Sequence, residues 1–398
     1  MCAVNSPIMI INDMLRDESA RRRHFPVAGE RIFLAHAGVT ALPRAATEAM
    51  EKYLSGGSAD AQENEHHAGM VRRARELAAR LLGADTREIA LIGPTSLGLN
   101  IVAHGLPWEA GDEAVYYPGD YPANVYPWMN LESRGVKPVA LEPPQQGVIT
   151  WEVVERVLSD RTRLVALASC NFLSGYRIDI NDIGRRLGER NILFSLDGIQ
   201  SAGAFPISVE HVDFLSADSH KWMLGPCGAG ILYVKESRQD LLRPTVLGAG
   251  NVVSPHYIAR EEIRFHPGAR RYESGTLNLP GVFGMAGALE LLLEVGMEAV
   301  SERILTWREA FLDAVRPLGW RLCVEDSGVD PSARSGIITI AHPQHGPETV
   351  FGKLKEQGVR LSLRQDASGT SYLRFSPHFY NTMDELDRVV DILSRAGR

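Results

Sequence analysis

Cysteine is scarce in this sequence: there are four, at positions 2, 170, 227 and 323, in a chain of 398 residues. No two of them have CxxC spacing, and their density is far below that of a disulfide-stabilised secreted domain. A disulfide framework is therefore excluded, and a reducing, cytoplasmic location is expected. The pair His66-His67 has no further His or Cys at ligand spacing nearby, so no metal site is predicted.

The sequence also lacks long apolar runs and clusters of basic residues. The apolar stretch around Met9-Ile10-Ile11 has no basic residue before it, and it is too short for a membrane span and unlike a signal peptide. The formal net charge is -7, and without a basic stripe neither nucleic acid nor a membrane is an expected partner. Internal repeats and low-complexity tracts are absent as well. What is present is 44% hydrophobic residues, enough for a large core and two or three domains.

Two apolar runs, Phe214–Ala217 and Ile231–Val234, flank a Gly/Pro-rich turn that holds Lys221. The runs predict two strands joined by a tight turn. A lysine considered alone is usually a solvated surface charge. Between two buried strands, however, a lysine has little access to water, and burial disfavours its charged form. The free amine is nucleophilic toward a carbonyl, so Lys221 is a candidate for a Schiff base.

A buried parallel strand is predicted just upstream, over Asn191–Leu196, and it ends in Asp197. Ligands of open α/β sheets bind at the carboxyl ends of strands, although a lone Asp there is often a helix cap. Pyridoxal phosphate needs a lysine that holds its aldehyde as an imine and a carboxylate that keeps its pyridine nitrogen protonated. We therefore predict Lys221 and Asp197 as catalytic residues and pyridoxal 5'-phosphate as the cofactor.

Three motifs carry a family resemblance: Asp197-Gly198-Ile199-Gln200, Ser219-His220-Lys221-Trp222 and Gly225-Pro226-x-Gly228-x-Gly230. Together they resemble the class V aminotransferase family of fold-type I pyridoxal-phosphate enzymes. That family includes cysteine desulfurases, selenocysteine lyases, kynureninases and isopenicillin N epimerase-like proteins. The resemblance extends from about Phe33 to the C-terminus. Its motifs are specific for cofactor and fold and weak for substrate.

The order of predicted elements agrees with this fold. Strands alternate with helices from Phe33 to Val234, which predicts an α/β large domain with a mostly parallel sheet between two helical layers. After a long helical region the pattern changes to α+β, so we expect a domain boundary near residue 285. The expected organisation is an N-terminal segment, 1–30, that packs on the small domain, a cofactor-binding large domain, 31–285, and a smaller C-terminal α+β domain, 286–398.

A phosphate site is predicted where Thr95 and Ser96 open a helix after a strand. Backbone amides at a helix N-terminus, helped by two hydroxyls, bind phosphate well; the alternative is that Thr95 only caps the helix. Many relatives have a serine three residues before the lysine, where this chain has Asp218. Ser219 is the candidate substitute for that serine, and its neighbour His220 joins the predicted cofactor-binding residues.

The resemblance assigns three more cofactor contacts. It implies that Tyr121 stacks on the pyridine ring, and that Asn171, together with Gln200, reaches the phenolic oxygen. It also implies that Thr276 gives its hydroxyl to the phosphate of the neighbouring subunit in a homodimer. The alternatives are an aromatic core for Tyr121, an Asx turn for Asn171 and a plain loop for Thr276.

Two residues are assigned to the substrate. Arg374 matches the arginine of the family that binds the substrate carboxylate, and a guanidinium can hold a carboxylate with two parallel hydrogen bonds. A structural ion pair is the alternative for Arg374. His36 lies in a turn that is near the substrate in the family, where it either touches the substrate or supports the site without touching it.

These residues predict an enzyme whose small-molecule substrate is an amino acid, in the first place a class V aminotransferase. The alternatives are a lyase or epimerase similar to selenocysteine lyase, kynureninase or isopenicillin N epimerase, and a non-catalytic relative that retains the fold. The last is disfavoured because Asp197, Lys221 and Arg374 are all present. Persulfide chemistry needs a thiolate, and the stretch Val359–Gly369 that matches the cysteine-bearing loop of persulfide-forming desulfurases contains no cysteine. That chemistry is not expected.

Overall fold

The structure, a computed structural model, describes residues 11, 13–254, 256, 258–326 and 328–396. Cys2, the stretch Met9-Ile10 and the side chain of His66 lie outside the described part. The strands are, in chain order, β1 (Ile32–Phe33), β2 (Ile89–Ile92), β3 (Glu113–Tyr116), β4 (Lys137–Ala140), β5 (Thr162–Ala168), β6 (Leu193–Asp197), β7 (Phe214–Asp218), β8 (Gly230–Val234), β9 (Arg321–Leu322), β10 (Ile338–Ala341), β11 (Val359–Arg360), β12 (Ser362–Gln365) and β13 (Ser371–Phe375).

The α-helices are, in the same order, α1 (Glu18–His24), α2 (Val27–Glu30), α3 (Arg44–Ala59), α4 (Glu65–Leu82), α5 (Thr95–Gly105), α6 (Tyr126–Met129), α7 (Trp151–Glu155), α8 (Ile180–Glu189), α9 (Leu279–Val295), α10 (Met297–Val315), α11 (Pro347–Glu356) and α12 (Met383–Ala396). Short 3-10 turns lie at Thr86–Glu88, Pro122–Asn124, Asn130–Arg134, Glu236–Arg238, Ala269–Tyr272, Arg316–Leu318 and Pro331–Ala333.

A seven-stranded sheet in the order β2-β8-β7-β6-β5-β3-β4 forms the centre of the large domain. β8 is antiparallel to both of its neighbours, and the other six strands run parallel. Alternate residues of the strands feed two hydrophobic cores: Phe194 and Leu196 of β6 join one, and Leu193 joins the other. The sheet is therefore covered on both faces, as parallel sheets are. This confirms the predicted three-layer α/β fold.

The C-terminal part forms a four-stranded antiparallel sheet in the order β12-β13-β10-β9. Its own core contains Trp307 and Phe311 of α10, Leu373 of β13 and Val389 of α12. β1 pairs in parallel with β11, and Ile32 lies in this same core. β1 lies at the start of the predicted large domain, 31–285. It packs with the small C-terminal unit, because Ile32 and Leu34 bury their apolar side chains there.

The N-terminal segment also contacts the C-terminal part of the chain. The guanidinium of Arg21 forms an ion pair with Glu385 at 2.8 Å, and the ring of Phe25 stacks on that of Tyr380 with centroids 4.1 Å apart. Residue 285, the expected domain boundary, lies inside the continuous helix α9. The boundary thus coincides with no break in secondary structure.

No single helix of the described residues is both long and apolar enough to cross a membrane. The pair Leu279–Val295 and Met297–Leu318, bent by 82°, passes on length and composition only when the two are taken together.

Candidate active site

A cavity of about 470 Å³ opens at the carboxyl ends of the parallel strands, where β12 and β13 face them. Eight residues that were predicted to bind cofactor or substrate line it: Thr95, Ser96, Tyr121, Asp197, Gln200, His220, Lys221 and Arg374. Residues up to 279 positions apart in the chain (374 − 95) therefore meet at one place, as the topology of an open α/β sheet favours.

Lys221 and Asp197 are brought together by two neighbouring parallel strands. Asp197 ends β6, Lys221 follows the end of β7, and both side chains are buried. Burial lowers the pKa of Lys221 to about 8, although the nearby charge of Asp197 acts in the opposite direction. Burial also raises the pKa of Asp197 to about 6, while the amide of Ile199, which donates to Oδ1 at 3.0 Å, lowers it. The site thus has an amine that is easily deprotonated beside a carboxylate that is still ionised at neutral pH.

A second buried carboxylate, Asp120, was missed in the sequence. Burial, followed by the charge of Asp197, raises the pKa of Asp120 to about 7. Its oxygens accept hydrogen bonds from the amide of Tyr121 at 2.7 Å and from Asn124 Nδ2 at 3.1 Å. The only signal in the sequence was its position in the turn after a predicted strand, directly before Tyr121.

The predicted phosphate site is the N-terminus of α5. The first amides of a helix have no partner within it and are available to an anion. Thr95 Oγ1 accepts a hydrogen bond from the amide of Asp218 at 2.8 Å, which fixes the helix start against β7. Ser96 and His220 also line the cavity, and His220 Nδ1 lies 3.0 Å from Asp218 Oδ2. The carboxylate of Asp218 is thus directed at this histidine, and Asp218 does not line the cavity.

The hydroxyl of Ser219 has a different partner from the one expected. Ser219 Oγ donates to the carbonyl of Pro226 at 2.9 Å, and the residue is fully buried and absent from the cavity wall. This hydrogen bond closes the turn that carries Lys221. The structure therefore gives Ser219 a role in holding the lysine turn, and it does not bring its hydroxyl to the phosphate site.

The aromatic wall of the cavity is formed by Tyr121 and Phe172, whose ring centroids lie 5.6 Å apart in an edge-on contact. Lys221 Nζ lies 5.3 Å from the centroid of the Tyr121 ring. Gln200 uses its amide to hold the wall: Nε2 donates to Ala37 O at 3.2 Å, and Oε1 accepts from Trp222 Nε1 at 2.9 Å. Tyr121 is therefore on the cavity surface as predicted.

Besides Ser219, three more predicted residues lie outside the cavity wall. Asn171 Oδ1 accepts from the amides of Leu173 and Ser174 at 3.1 and 3.0 Å, which is the Asx turn considered above, and its buried Nδ2 has no partner. His36 is fully buried, with its ring nitrogens 2.9 Å from Ser376 O and 3.0 Å from Tyr380 Oη. Its burial lowers its pKa, so it supports the site as a neutral ring. Thr276 is exposed on a loop.

Arg374 is presented by β13 and is 1% exposed. Its Nη1 donates to Phe172 O at 2.6 Å, while Nε and Nη2 are buried and have no hydrogen-bond partner. Among the described residues, no carboxylate lies within 4.0 Å of its guanidinium, so the structural ion pair that was the alternative is absent. Two free donors of a buried guanidinium are suited to a carboxylate that enters the cavity.

The three described cysteines do not line the cavity. Burial raises the pKa of Cys170 to about 11 and that of Cys323 to about 12, and Cys227 is exposed. Neither buried thiol has the thiolate character that a nucleophile needs.

The donor set fits pyridoxal phosphate. Lys221 has no ion-pair partner within 4.0 Å among the described residues. Asp197 Oδ2 accepts no hydrogen bond from them, and a helix N-terminus and an aromatic ring complete the wall. Lys221 would hold the cofactor aldehyde, Asp197 the pyridine nitrogen, and the start of α5 the phosphate. In addition Ser362, Arg360 and Arg364, which were not predicted as site residues, line the opposite wall.

Comparisons with known proteins show the family of the chain. The sequence profile of the family described as Aminotransferase class-V matches residues 32–389. The chain is 26% identical to a probable cysteine desulfurase of Methanothermobacter thermautotrophicus, with 94% of this chain and 96% of that protein covered. It is 28% identical to an uncharacterized aminotransferase of Bacillus subtilis, with 93% and 95% covered.

Solved structures share the fold at lower identity. The complex of the cystine C-S lyase C-DES with its product cysteine persulfide has a TM-score of 0.83 and 23% identity, and the match covers 93% of this chain and 99% of that one. A further C-DES structure, with a TM-score of 0.84 and 22% identity over 94% of this chain and 98% of that one, has glycine covalently linked to the PLP cofactor.

Proposed function

Because the chain belongs to the Aminotransferase class-V family, whose enzymes depend on pyridoxal phosphate, we propose that it is a lyase that removes a group from the side chain of an amino acid. The observation that carries the proposal is one cavity in which buried Lys221, Asp197 and Arg374 meet. Relatives named cysteine desulfurase support a lyase. The expected aminotransferase reaction is not confirmed, and the lyase alternative has the better support.

Bound pyridoxal phosphate supplies an electron-withdrawing ring that stabilises negative charge at the α-carbon of the substrate. Lys221 Nζ accepts the α-proton, because its lowered pKa of about 8 leaves a useful fraction of free amine near neutral pH. Asp197 keeps a proton on the pyridine nitrogen by its negative charge. Arg374 Nε and Nη2 orient the α-carboxylate and thereby the bond to the α-hydrogen.

The side-chain group leaves without a protein thiol in this proposal. The stretch Val359–Gly369 contains no cysteine, and its residues Arg360 to Arg364 form one wall of the cavity. A thiol nucleophile would have to come from Cys323, whose pKa is raised by burial to about 12. The C-S lyase C-DES, which releases cysteine persulfide as a product, has the same fold.

The test is to mix purified, cofactor-loaded enzyme with L-amino acids that carry leaving groups, including L-cysteine and L-cystine. A lyase releases ammonia and a 2-oxo acid and returns the cofactor spectrum to its starting state. Accumulation of pyridoxamine phosphate would instead identify transamination, and a change in optical rotation alone would identify epimerisation. Lys221→Ala is the control, since it removes the proposed base.

A protein-bound persulfide decides the thiol question separately. Mass spectrometry after incubation with L-cysteine should find none. A persulfide on Cys323, with activity lost in Cys323→Ser, would contradict the thiol-free route.

A further inference from the structure

Arg364 is a second arginine on the same face of the sheet as Arg374. β12 and β13 are antiparallel, and Ser362 is directly opposite Arg374. Side chains two residues apart on a strand point to the same face, so Arg364 and Arg374 are diagonal neighbours on the face that lines the cavity. Both line it together with Ser362. The two guanidinium groups thus approach the substrate space from adjacent strands.

Arg364 has no hydrogen-bond or ion-pair partner among the described residues. Its Nε is buried without a hydrogen bond, and no described carboxylate lies within 4.0 Å of its guanidinium. An unpaired charge that is partly removed from water destabilises the protein. The positive charge of Arg364 also acts on Arg374. Burial is the main cause of the lowered pKa of Arg374, and the charge of Arg364 lowers that pKa further.

Arg374, the buried arginine of the cavity, already has an assigned anion, and Arg360 is exposed to solvent. The cofactor phosphate belongs to the start of α5 and His220, and the substrate α-carboxylate belongs to Arg374. Asp197, the carboxylate that lines the cavity, faces the pyridine nitrogen and Lys221. Arg364 remains without a counter-charge after the cofactor and a neutral amino acid have been accounted for.

We propose that Arg364 binds an anionic oxygen group on the substrate side chain, so that the enzyme acts on amino acids with a second acid function, namely a side-chain carboxylate. A guanidinium can hold the two oxygens of a carboxylate in parallel hydrogen bonds. The proposal rests on the proposed function for the position of the α-carboxylate. It adds the substrate class, which the family resemblance leaves open.

Binding of unreactive acids to the cofactor-loaded enzyme tests the proposal without turnover. Calorimetry should show that succinate and glutarate bind about 10- to 100-fold more tightly than propionate and butyrate. That factor is the gain in affinity expected from one additional charge-assisted hydrogen-bonded contact. Arg364→Gln should abolish this preference and leave the monocarboxylates unchanged, and Arg364→Lys should retain part of it. Arg374→Gln should weaken both kinds of acid.

The matched control is Arg360→Gln, which removes an exposed arginine of the same wall. It should change the binding of mono- and dicarboxylates by similar small factors. Equal affinities for the two kinds of acid in the wild type would overturn the proposal. If Arg360→Gln lost as much of the preference for dicarboxylates as Arg364→Gln, the proposal would also be overturned. The preference would then come from the total positive charge of the cavity wall and not from contact with Arg364. An unchanged cofactor absorbance shows that each variant is folded.

Turnover separates this proposal from the lyase proposal. The lyase reaction should favour S-carboxymethyl-L-cysteine and S-(2-carboxyethyl)-L-cysteine, which leave as thiolates, over the neutral S-ethyl-L-cysteine. The two acidic substrates differ in how far the second carboxylate lies from the α-carbon. Equal efficiency on all three would overturn the role of Arg364 and leave the lyase intact. A dicarboxylate preference in binding, without elimination from any of them, would support Arg364 and overturn the lyase.

Discussion

At the scale of single residues, the chemistry of the site depends on whether the amine of Lys221 is free or protonated. Lys221→Ala removes the amine that holds the cofactor and accepts the α-proton, so we expect activity to fall by about 10²- to 10⁴-fold or more. The measurements are the turnover number and the cofactor absorbance. Borohydride reduction of the wild type followed by peptide mapping should place the cofactor on Lys221, and an adduct on any other lysine would show that this assignment is wrong.

The pH dependence of cofactor loading follows from the burial of the same lysine. Burial lowers the pKa of Lys221 from 10.5 to about 8, and only the free amine attacks an aldehyde. The rate at which apoenzyme combines with pyridoxal phosphate should therefore rise with pH around a midpoint near 8. N-acetyl-lysine amide in the same buffers is the control and should titrate near the ordinary lysine value. A midpoint for the protein that coincides with this control would contradict the prediction.

Arg374 should make the enzyme require an α-carboxylate. Loss of one partner of a buried charge pair costs roughly 2 to 5 kcal/mol. Arg374→Gln should therefore weaken kcat/KM for an amino acid by that amount and leave the corresponding amine almost unchanged. Equal losses for the two would show that the arginine acts only through its hydrogen bond to Phe172 O.

At the scale of elements, the phosphate site depends on how closely α5 approaches the sheet. Gly98 makes that approach possible, since a Cβ atom there would lie 2.8 Å from Ser216 Cβ and 2.9 Å from Ile92 Cδ1. Gly98→Ala should push the helix away, lower the free energy of unfolding by about 1 to 3 kcal/mol and weaken cofactor binding. Urea unfolding and cofactor titration measure the two effects.

Gly352→Ala is the matched control, because the position in α11 is surrounded by open space. Alanine is the better helix former, so this change should stabilise the protein by about 0.5 to 1 kcal/mol and leave cofactor affinity unchanged. Similar behaviour of the two variants would mean that the approach of α5 is not limited by Gly98.

The elements that the sequence predicts best are those whose signal is local. The two strands around Lys221 follow from two apolar runs in the sequence, and the motifs with Asp197 and Lys221 predict the centre of the cavity. The pairing of β1 with β11 could not be predicted, because the two strands lie 327 positions apart in the chain (359 − 32). Each strand contributes only two residues to the pairing, which is too short a pattern to recognise.

The sequence also could not predict which groups the side chains of the site contact. Ser219 was expected at the phosphate, but its spacing from the lysine does not reveal that Pro226 O lies within hydrogen-bond reach. Arg364 was overlooked because the sequence does not show that β12 pairs with β13. Only that pairing places Ser362 and Arg364 on the same face of the sheet as Arg374. Asp120 needed knowledge of burial, which a turn residue does not show in sequence.

At the scale of the whole molecule, we expect a homodimer with composite active sites. Thr276 is exposed on a loop, and large apolar side chains such as Tyr126, Val246 and Leu247 are exposed as well. Exposed apolar side chains of this size favour an interface, and two-fold symmetry is the usual form of soluble oligomers. Sedimentation velocity should give twice the mass of the chain. A monomer with full activity would contradict the prediction.

The pairing of β1 with β11 also bears on how the protein is made. The cavity wall includes residues next to β1, namely Ala35, Ala37, Gly38 and Val39, and residues of β11, β12 and β13, namely Arg360, Ser362, Arg364 and Arg374. During synthesis the seven-stranded sheet can form as soon as β8 has emerged, since domains fold as units from the N-terminal side. The early segment Ile32–Phe33, however, has to wait for its partner β11, which lies 327 positions further along the chain (359 − 32), to leave the ribosome. We expect nascent chains that stop before β11 to bind pyridoxal phosphate poorly, so that cofactor uptake follows the emergence of β11.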